Sequence, residues 1–123
     1  MYEFPFLIVE DEPDGQELVS RMLQVAGVSV EVAGDGETGW QMLQSNTYTA
    51  AVIDLALPGM DGIQLLSHIR ASDTLNSLPC VAITAYHTPE LKQQALEAGF
   101  DSYFAKPLDR TIFLEALFNL LGK

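Results

Sequence analysis

The stretch Phe6-Leu-Ile-Val-Glu-Asp-Glu12 decides the fold, because four apolar residues run directly into three acids. An amphipathic segment follows it, and this succession of strand, turn and helix occurs five times along the chain. We predict strands at residues 6–9, 29–33, 50–54, 80–84 and 102–105. We predict helices at residues 14–26, 38–44, 63–71, 88–99 and 109–121. Five such units predict a doubly wound parallel sheet in the order 2-1-3-4-5, with helices on both faces.

The composition favours a single globular domain and argues against proteins that bind nucleic acid or membranes. A chain of 123 residues that is 48% hydrophobic and 19% charged is typical of one globular domain, residues 1–123. Six basic residues against 17 acidic ones give a net charge of −11, which argues against direct binding to nucleic acid or anionic membranes. The apolar runs are far shorter than the roughly 20 residues that cross a bilayer. The N-terminus lacks the basic start of a signal peptide, so we expect a cytoplasmic protein.

Polar side chains fall where the predicted strands end. Glu10 and Asp11 follow the first strand, Asp54 ends the third, Thr84 ends the fourth and Lys106 follows the fifth. In the order 2-1-3-4-5 these strands are neighbours, and α/β sheets bind ligands at the carboxyl ends of such strands. Clustered carboxylates favour a divalent cation such as Mg²⁺, which also binds phosphate oxygens. Because Asp can form an aspartyl phosphate, the set predicts phosphoryl transfer.

At this point the chain resembles the receiver domain of two-component response regulators, from Phe6 to Leu121. The segments that carry the resemblance are Leu7-Ile-Val-Glu-Asp-Glu12, Asp54-Leu-Ala-Leu-Pro-Gly-Met-Asp-Gly62, Ile83-Thr-Ala85, Ala98-Gly99 and Tyr103-Phe-Ala-Lys-Pro107. The resemblance implies a flavodoxin-like (βα)5 domain. The sequence contains no output domain, so we expect either a single-domain regulator or the receiver of a larger protein such as a hybrid histidine kinase.

The resemblance also implies a phosphoacceptor and its metal. Asp54 would take a phosphoryl group from a histidine of a sensor histidine kinase or a histidine phosphotransfer protein. Mg²⁺, or Mn²⁺, would be bound by Asp11, Asp54 and the backbone carbonyl of Ala56, and by Glu10 directly or through water. The chain would then accept and lose its own phosphoryl group without being a turnover enzyme.

A switch is implied as well. Thr84 and Lys106 would contact the phosphoryl group, and the ring of Tyr103 would turn inward when Thr84 moves. The bond before Pro107 is often cis in this family. The switched surface would comprise helix four, strand five and helix five, and would act on a downstream protein or effector domain.

Two helices carry expectations about packing. Leu18, Met22, Val25 and Ala26 are predicted to share the buried face of the first helix. The last helix has one apolar stripe for the sheet, formed by residues 112, 113, 116, 117 and 120. A second stripe, Leu114, Phe118 and Leu121, is either part of a wide core face or an exposed partner surface. In the latter case it would support a homodimer through helices four and five.

Three alternatives stay open. Acids at strand ends can be solvated loop residues or helix caps, as we expect for Asp14 and Asp109. The chain could be an aspartate-nucleophile phosphatase or phosphotransferase, although the familiar ones carry a second Asp two residues later, where this chain has Ala56. It could also be a phosphorylation-independent interaction module with the same fold. In the family, positions 56 and 86 tune dephosphorylation, so Ala56 and Tyr86 leave that rate undetermined.

Other residues carry less information. The segment Gly34-Asp-Gly-Glu-Thr-Gly39 has the spacing of a dinucleotide-binding loop, but it follows the second strand and its acids would face a pyrophosphate, so we assign its glycines to a turn. Cys80 lies in an apolar strand and is expected in the core. His68 and His87 are expected at the surface. His87 lies in the loop after Thr84, where it could modulate the site, but we expect it to be an ordinary surface-loop residue.

Overall fold

Five parallel strands form one sheet in the order β2-β1-β3-β4-β5 in the computed structural model, which describes residues 2–122. The strands are β1 Phe6–Val9, β2 Val30–Ala33, β3 Ala50–Asp54, β4 Cys80–Thr84 and β5 Ser102–Ala105. The helices are α1 Pro13–Val25, α2 Gly36–Ser45, α3 Gly62–Ala71, α4 Pro89–Ala98 and α5 Arg110–Leu120. The predicted flavodoxin-like architecture and strand order are confirmed.

The two faces of the sheet carry separate hydrophobic cores, because neighbouring residues of a strand point to opposite faces. In β1, Phe6 and Ile8 pack with α1 and α5, whereas Leu7 and Val9 pack with α2, α3 and α4. The register places Ile8 beside Val52 of β3. Strands β1, β3 and β4 are buried along their whole length, as expected for central parallel strands.

Four helices begin at a side chain that caps the backbone. Asp35, Asp61, Thr88 and Asp109 each accept a hydrogen bond from the backbone N–H three residues later. The predicted cap Asp109 is therefore confirmed, Thr88 caps α4, and Asp14 is an exposed residue in the first turn of α1. Because Asp35 caps α2, that helix starts at Gly36, two residues before the predicted start. Gly36 and Gly39 thus lie inside a helix rather than in a phosphate-binding loop.

The predicted buried face of α1 is correct at Met22 and wrong at Leu18 and Val25. Leu18 and Val25 are 49% and 70% exposed, and the buried residues are Val19, Met22 and Leu23. The apolar residues of α1 contain two overlapping stripes at helical spacing, and the contact with the sheet selects one of them.

On α5, Phe113 and Leu117 are fully buried, whereas Ile112 is 59% exposed. The second stripe, Leu114, Phe118 and Leu121, packs in part against the same core. Tyr2 stacks on Phe118 with ring centroids 6.2 Å apart. The second stripe is therefore partly covered by the chain's own residues, and a homodimer through α4 and α5 stays a prediction. Within residues 2–122, none of the helices combines the length and apolarity needed to span a membrane.

The polar loop between α3 and β4 is closed by Arg70, a residue for which the sequence predicted no role. Its guanidinium donates to the carbonyl of Gly99 at 2.8 and 3.0 Å, and to the carbonyls of Asn76 and Leu78. It also pairs with Asp101 at 3.1 Å. These bonds join the end of α3 to the end of α4 and the start of β5, and so fix the amino edge of the sheet, opposite the carboxyl edge where Glu10, Asp54 and Thr84 lie.

Candidate functional site

The predicted polar residues meet at the carboxyl edge of the sheet. Glu10 directly follows β1, Asp54 is the last residue of β3, and Thr84 is the last residue of β4. Lys106 follows β5 and reaches back over this edge. The crevice lies where the strand order reverses, between β1 and β3, which is the position at which open α/β sheets bind ligands.

Lys106 joins the two buried carboxylates. Its Nζ donates to Asp54 Oδ2 at 2.7 Å and to Glu10 Oε1 at 2.7 Å. The side chains of Glu10 and Asp54 are 0% and 5% exposed, and that of Lys106 is 22% exposed. Burial of charge in a protein is tolerated when it is paired in this way. One ammonium therefore pairs with both buried carboxylates in this arrangement, and neutralises only one of their two charges when both are ionised.

The pKa values of this trio reflect burial and pairing. Burial raises the pKa of Glu10 above its usual 4.5, against the opposing effect of the Lys106 ammonium. Burial by itself lowers the pKa of Lys106, but the hydrogen bonds and charges of Asp54 and Glu10 outweigh it, so that the pKa lies above 10.5. Lys106 therefore remains charged at neutral pH and holds a positive charge against Asp54.

Glu10 fits this buried position because of a glycine in α1. A Cβ at Gly15 would lie 2.6 Å from Glu10 Oε1 and 2.7 Å from Glu10 Cδ. The Glu12 backbone N–H donates to Glu10 Oε2 at 3.2 Å, and Gln16 Nε2 donates to the Glu10 carbonyl at 2.7 Å. The sequence predicted no role for Gly15 and Gln16, since their role appears only when α1 is docked beside β1.

Three carboxylates at this edge can act together on one cation. Glu10, Asp11 and Asp54 each offer an oxygen, and these oxygens all lie within 4.8 Å of one another. Asp11 is exposed while the other two are buried, so one side of the cluster is open to water. Hard oxygen ligands with room for water are what Mg²⁺ requires, and the donor set therefore fits a divalent metal ion.

The remaining predicted residues surround Asp54. The exposed Ala56 donates its backbone N–H to Asp54 Oδ1 at 2.8 Å. Thr84 is fully buried, and its Oγ1 accepts from the Tyr86 backbone N–H at 3.1 Å. Ala56, Thr84 and Tyr86 line a cavity of about 330 Å³ beside Asp54. Tyr86 itself is 72% exposed, so it forms the outer wall of this cavity rather than part of the core.

Tyr103 lies on the neighbouring strand β5, two residues before the position that pairs with Thr84. It pairs in register with Ala82 of β4, and its ring packs in part against the core on the α2–α4 side. Its hydroxyl is hydrogen-bonded to His87 Nδ1 at 2.8 Å. The sequence placed His87 in this loop but did not predict that contact. The Lys106–Pro107 peptide bond is cis.

The expectations for Cys80 and His68 are confirmed, whereas the assignment of Gly36 and Gly39 to a turn is wrong, because both lie in α2. Cys80 is buried, and burial raises the pKa of its thiol to about 12, so it is not a nucleophile at neutral pH. His68 is exposed on α3, where its ring contacts that of the half-buried Trp40.

Comparison with known proteins identifies relatives of this chain among signalling regulators. The model of the response regulator receiver domain family matches residues 6–118. Chemotaxis protein CheY-3 of Vibrio cholerae is 36% identical over 112 residues, which cover 90% of this chain and 86% of that protein. The gliding motility regulatory protein of Myxococcus xanthus is 31% identical over 100 residues, 81% of this chain but 13% of its own length.

A solved structure is similar over its whole length. The receiver domain of the sensor histidine kinase PA1611 from Pseudomonas aeruginosa, determined with magnesium coordinated in its active-site cleft, superimposes with a TM-score of 0.90. It is 30% identical, and the match covers 99% of this chain and 100% of that one. Sequence and structural comparisons thus agree on the family and the fold.

Proposed function

Because the chain belongs to the response regulator receiver domain family of two-component systems, we propose that Asp54 is its phosphoacceptor. The donor is a phosphohistidine on a sensor histidine kinase or a histidine phosphotransfer protein. The observation that carries the proposal is the arrangement around Asp54: Lys106 Nζ lies 2.7 Å from Asp54 Oδ2, and two further carboxylates lie within 4.8 Å.

The transfer requires little covalent chemistry from the protein. A carboxylate oxygen of Asp54 forms a bond to phosphorus while the N–P bond of the phosphohistidine breaks, and the released imidazole nitrogen takes a proton from water. The product carries about −1.5 to −2 charges on its phosphoryl group. Lys106, already charged beside Asp54, neutralises part of this charge, and the Thr84 hydroxyl donates to a phosphoryl oxygen. Positioning and charge neutralisation are the main terms in such reactions.

A divalent cation, Mg²⁺ or Mn²⁺, supplies further neutralisation of the phosphoryl oxygens when bound. Glu10, Asp11, Asp54 and the backbone carbonyl of Ala56 would hold it. Lys106 bonds to two of these same carboxylates in the structure, so the cation and the ammonium share ligands. We therefore expect metal binding to loosen the Lys106–Glu10 pair.

The phosphorylated site would act on other proteins through a switched surface. Thr84 and Tyr103 form the switch pair, and α4, β5 and α5 form the surface that a downstream protein or effector domain reads. Relatives include the sensor histidine kinase RcsC of Salmonella typhimurium, 32% identical over 111 residues, which make up 12% of that protein. The chain would turn over only its own phosphoryl group. With Ala56 in place of a second acid, no residue at that position is available to protonate a leaving group.

Intact-mass spectrometry after incubation with acetyl phosphate tests the proposal. We expect a mass increase of one phosphoryl group that requires Mg²⁺ and is absent from Asp54→Ala. Asp73→Ala, which removes an exposed acid in the loop after α3, is the matched control and should behave as wild type. An adduct that persists in Asp54→Ala, or none with either acetyl phosphate or a phosphohistidine donor, would overturn the assignment.

A further inference from the structure

The loop between β4 and α4, residues 85–88, is hydrogen-bonded to both residues of the proposed switch, Thr84 and Tyr103. The Tyr86 backbone N–H donates to Thr84 Oγ1 at 3.1 Å, and the next residue, His87, is hydrogen-bonded through Nδ1 to the Tyr103 hydroxyl at 2.8 Å. The rings of His87 and Tyr103 also contact each other, with centroids 5.4 Å apart. We propose that His87 is a positioning residue that holds Tyr103 in its present orientation and links it to Thr84 through this loop.

Hydrogen bonds, not burial, hold this loop in place. Residues 85–88 are all exposed, and Tyr86 is 72% exposed. Apolar contacts therefore contribute little to its position, since they stabilise in proportion to the area removed from water. Thr88, the residue after His87, caps α4 because its hydroxyl accepts a hydrogen bond from the Leu91 backbone N–H at 3.0 Å. A displacement of His87 is thus passed to both Tyr103 and the first turn of α4.

The His87–Tyr103 bond can form in either charge state of the imidazole. Burial raises the pKa of the Tyr103 hydroxyl, so this group keeps its proton at neutral pH. It donates to Nδ1 when the imidazole is neutral, and it accepts from an Nδ1–H when the imidazole carries that proton. The proposed role of His87 is therefore to hold the Tyr103 hydroxyl in place in either charge state, and not to sense pH.

The consequence for signalling rests on the proposed phosphorylation of Asp54. Movement of the Thr84 hydroxyl toward a phosphoryl group would draw the Tyr86 N–H with it, and His87 would follow. Tyr103 could then leave its present orientation only after the His87 bond breaks. A ligand that favours the reoriented state must overcome this bond, so removing it should tighten phosphoryl-analogue binding by about fivefold.

Fluorine NMR of protein labelled with 3-fluorotyrosine tests the role of His87. The chain has four tyrosines, and Tyr103→Phe identifies the Tyr103 resonance. The test variant is His87→Phe, which keeps a ring against Tyr103 but removes the hydrogen bond. The matched control is His68→Phe, which alters the other exposed histidine, on α3. Beryllofluoride with Mg²⁺ serves as the phosphoryl analogue.

We expect His87→Phe to shift the Tyr103 resonance toward its beryllofluoride-saturated position and to lower the apparent Kd for beryllofluoride about fivefold. His68→Phe should change neither, and His87→Phe should have no further effect on Kd in a Tyr103→Phe background. A Tyr103 resonance and Kd that match the wild type in His87→Phe would overturn the inference. Failure of the wild type to bind beryllofluoride would instead count against the proposed function, and a Tyr103 resonance that is identical in ligand-free wild type and His87→Phe would then overturn the role of His87.

Discussion

Replacement of Lys106 by methionine removes the cation that faces two buried carboxylates while keeping most of the side-chain volume. Glu10 and Asp54 are 0% and 5% exposed and would be left together without their ammonium partner. Breaking a buried ion pair on one side costs roughly 3–5 kcal/mol. Lys106 is 22% exposed, so water already screens part of the interaction. We therefore expect the lower end, a loss of about 3 kcal/mol of unfolding free energy at pH 7.

Magnesium should reverse most of this loss. A divalent cation bound to Glu10, Asp11 and Asp54 would take over the neutralising role of the ammonium. Binding to the folded state alone stabilises by about 2.7 kcal/mol when the free ligand is at 100 times its Kd. Lys106→Met should also bind Mg²⁺ more tightly than the wild type, because Lys106 no longer competes for two of the ligands.

Urea unfolding at pH 7, followed by circular dichroism in EDTA and then in saturating Mg²⁺, measures both effects. Arg21→Met is the matched control, because it removes a 2.9 Å ion pair with Glu17 whose side chains are 71% and 70% exposed. Such a pair contributes about 0.5 kcal/mol or less. If Lys106→Met loses less than about 1 kcal/mol in EDTA, as a surface pair would, the claim of a buried, paired trio is refuted. A loss that saturating Mg²⁺ does not reduce would refute the shared-ligand argument.

Three further outcomes follow from the contacts. Since burial raises the pKa of Glu10 above 4.5, the folded state keeps this proton to higher pH than the unfolded chain. The contribution of that proton to the free energy of unfolding should be complete below pH 4.5 and should be lost as the pH rises through the pKa of Glu10 in the folded state. A comparison of the urea midpoints of the wild type and Glu10→Gln, both in EDTA and across this pH range, should isolate that contribution. Gly62→Ala should destabilise by about 1–3 kcal/mol, measured as a lower Tm, because its Cβ would lie 2.6 Å from the Asp54 carbonyl, a backbone atom that cannot turn aside. Arg70→Met should cost about 2 kcal/mol in urea unfolding and speed amide hydrogen exchange at the end of α4, since the Gly99 carbonyl loses two donors; unchanged exchange there would contradict this role.

Much of the site was predictable because it depends on strand ends. An apolar run that stops at an acid places that acid at the carboxyl edge of a parallel sheet, and the strand order then makes neighbours of Glu10, Asp54 and Thr84. The errors concern helices. The buried face of α1 was placed on Leu18 and Val25 instead of Val19 and Leu23, because both sets have helical spacing. The start of α2 was missed because the Asp35 cap was not recognised.

The sequence by itself determined the alternation of strands and helices, the class of sheet and the identity of the acidic cluster, since these follow from local periodicity and from the geometry of parallel strands. Only the tertiary structure decided how the charges are paired and how the switch residues are tied together. The Lys106–Glu10 bond joins residues 96 positions apart, and the His87–Tyr103 bond joins residues 16 apart. Such contacts leave no periodic signal in the chain, because they depend on where folded elements place two side chains in space.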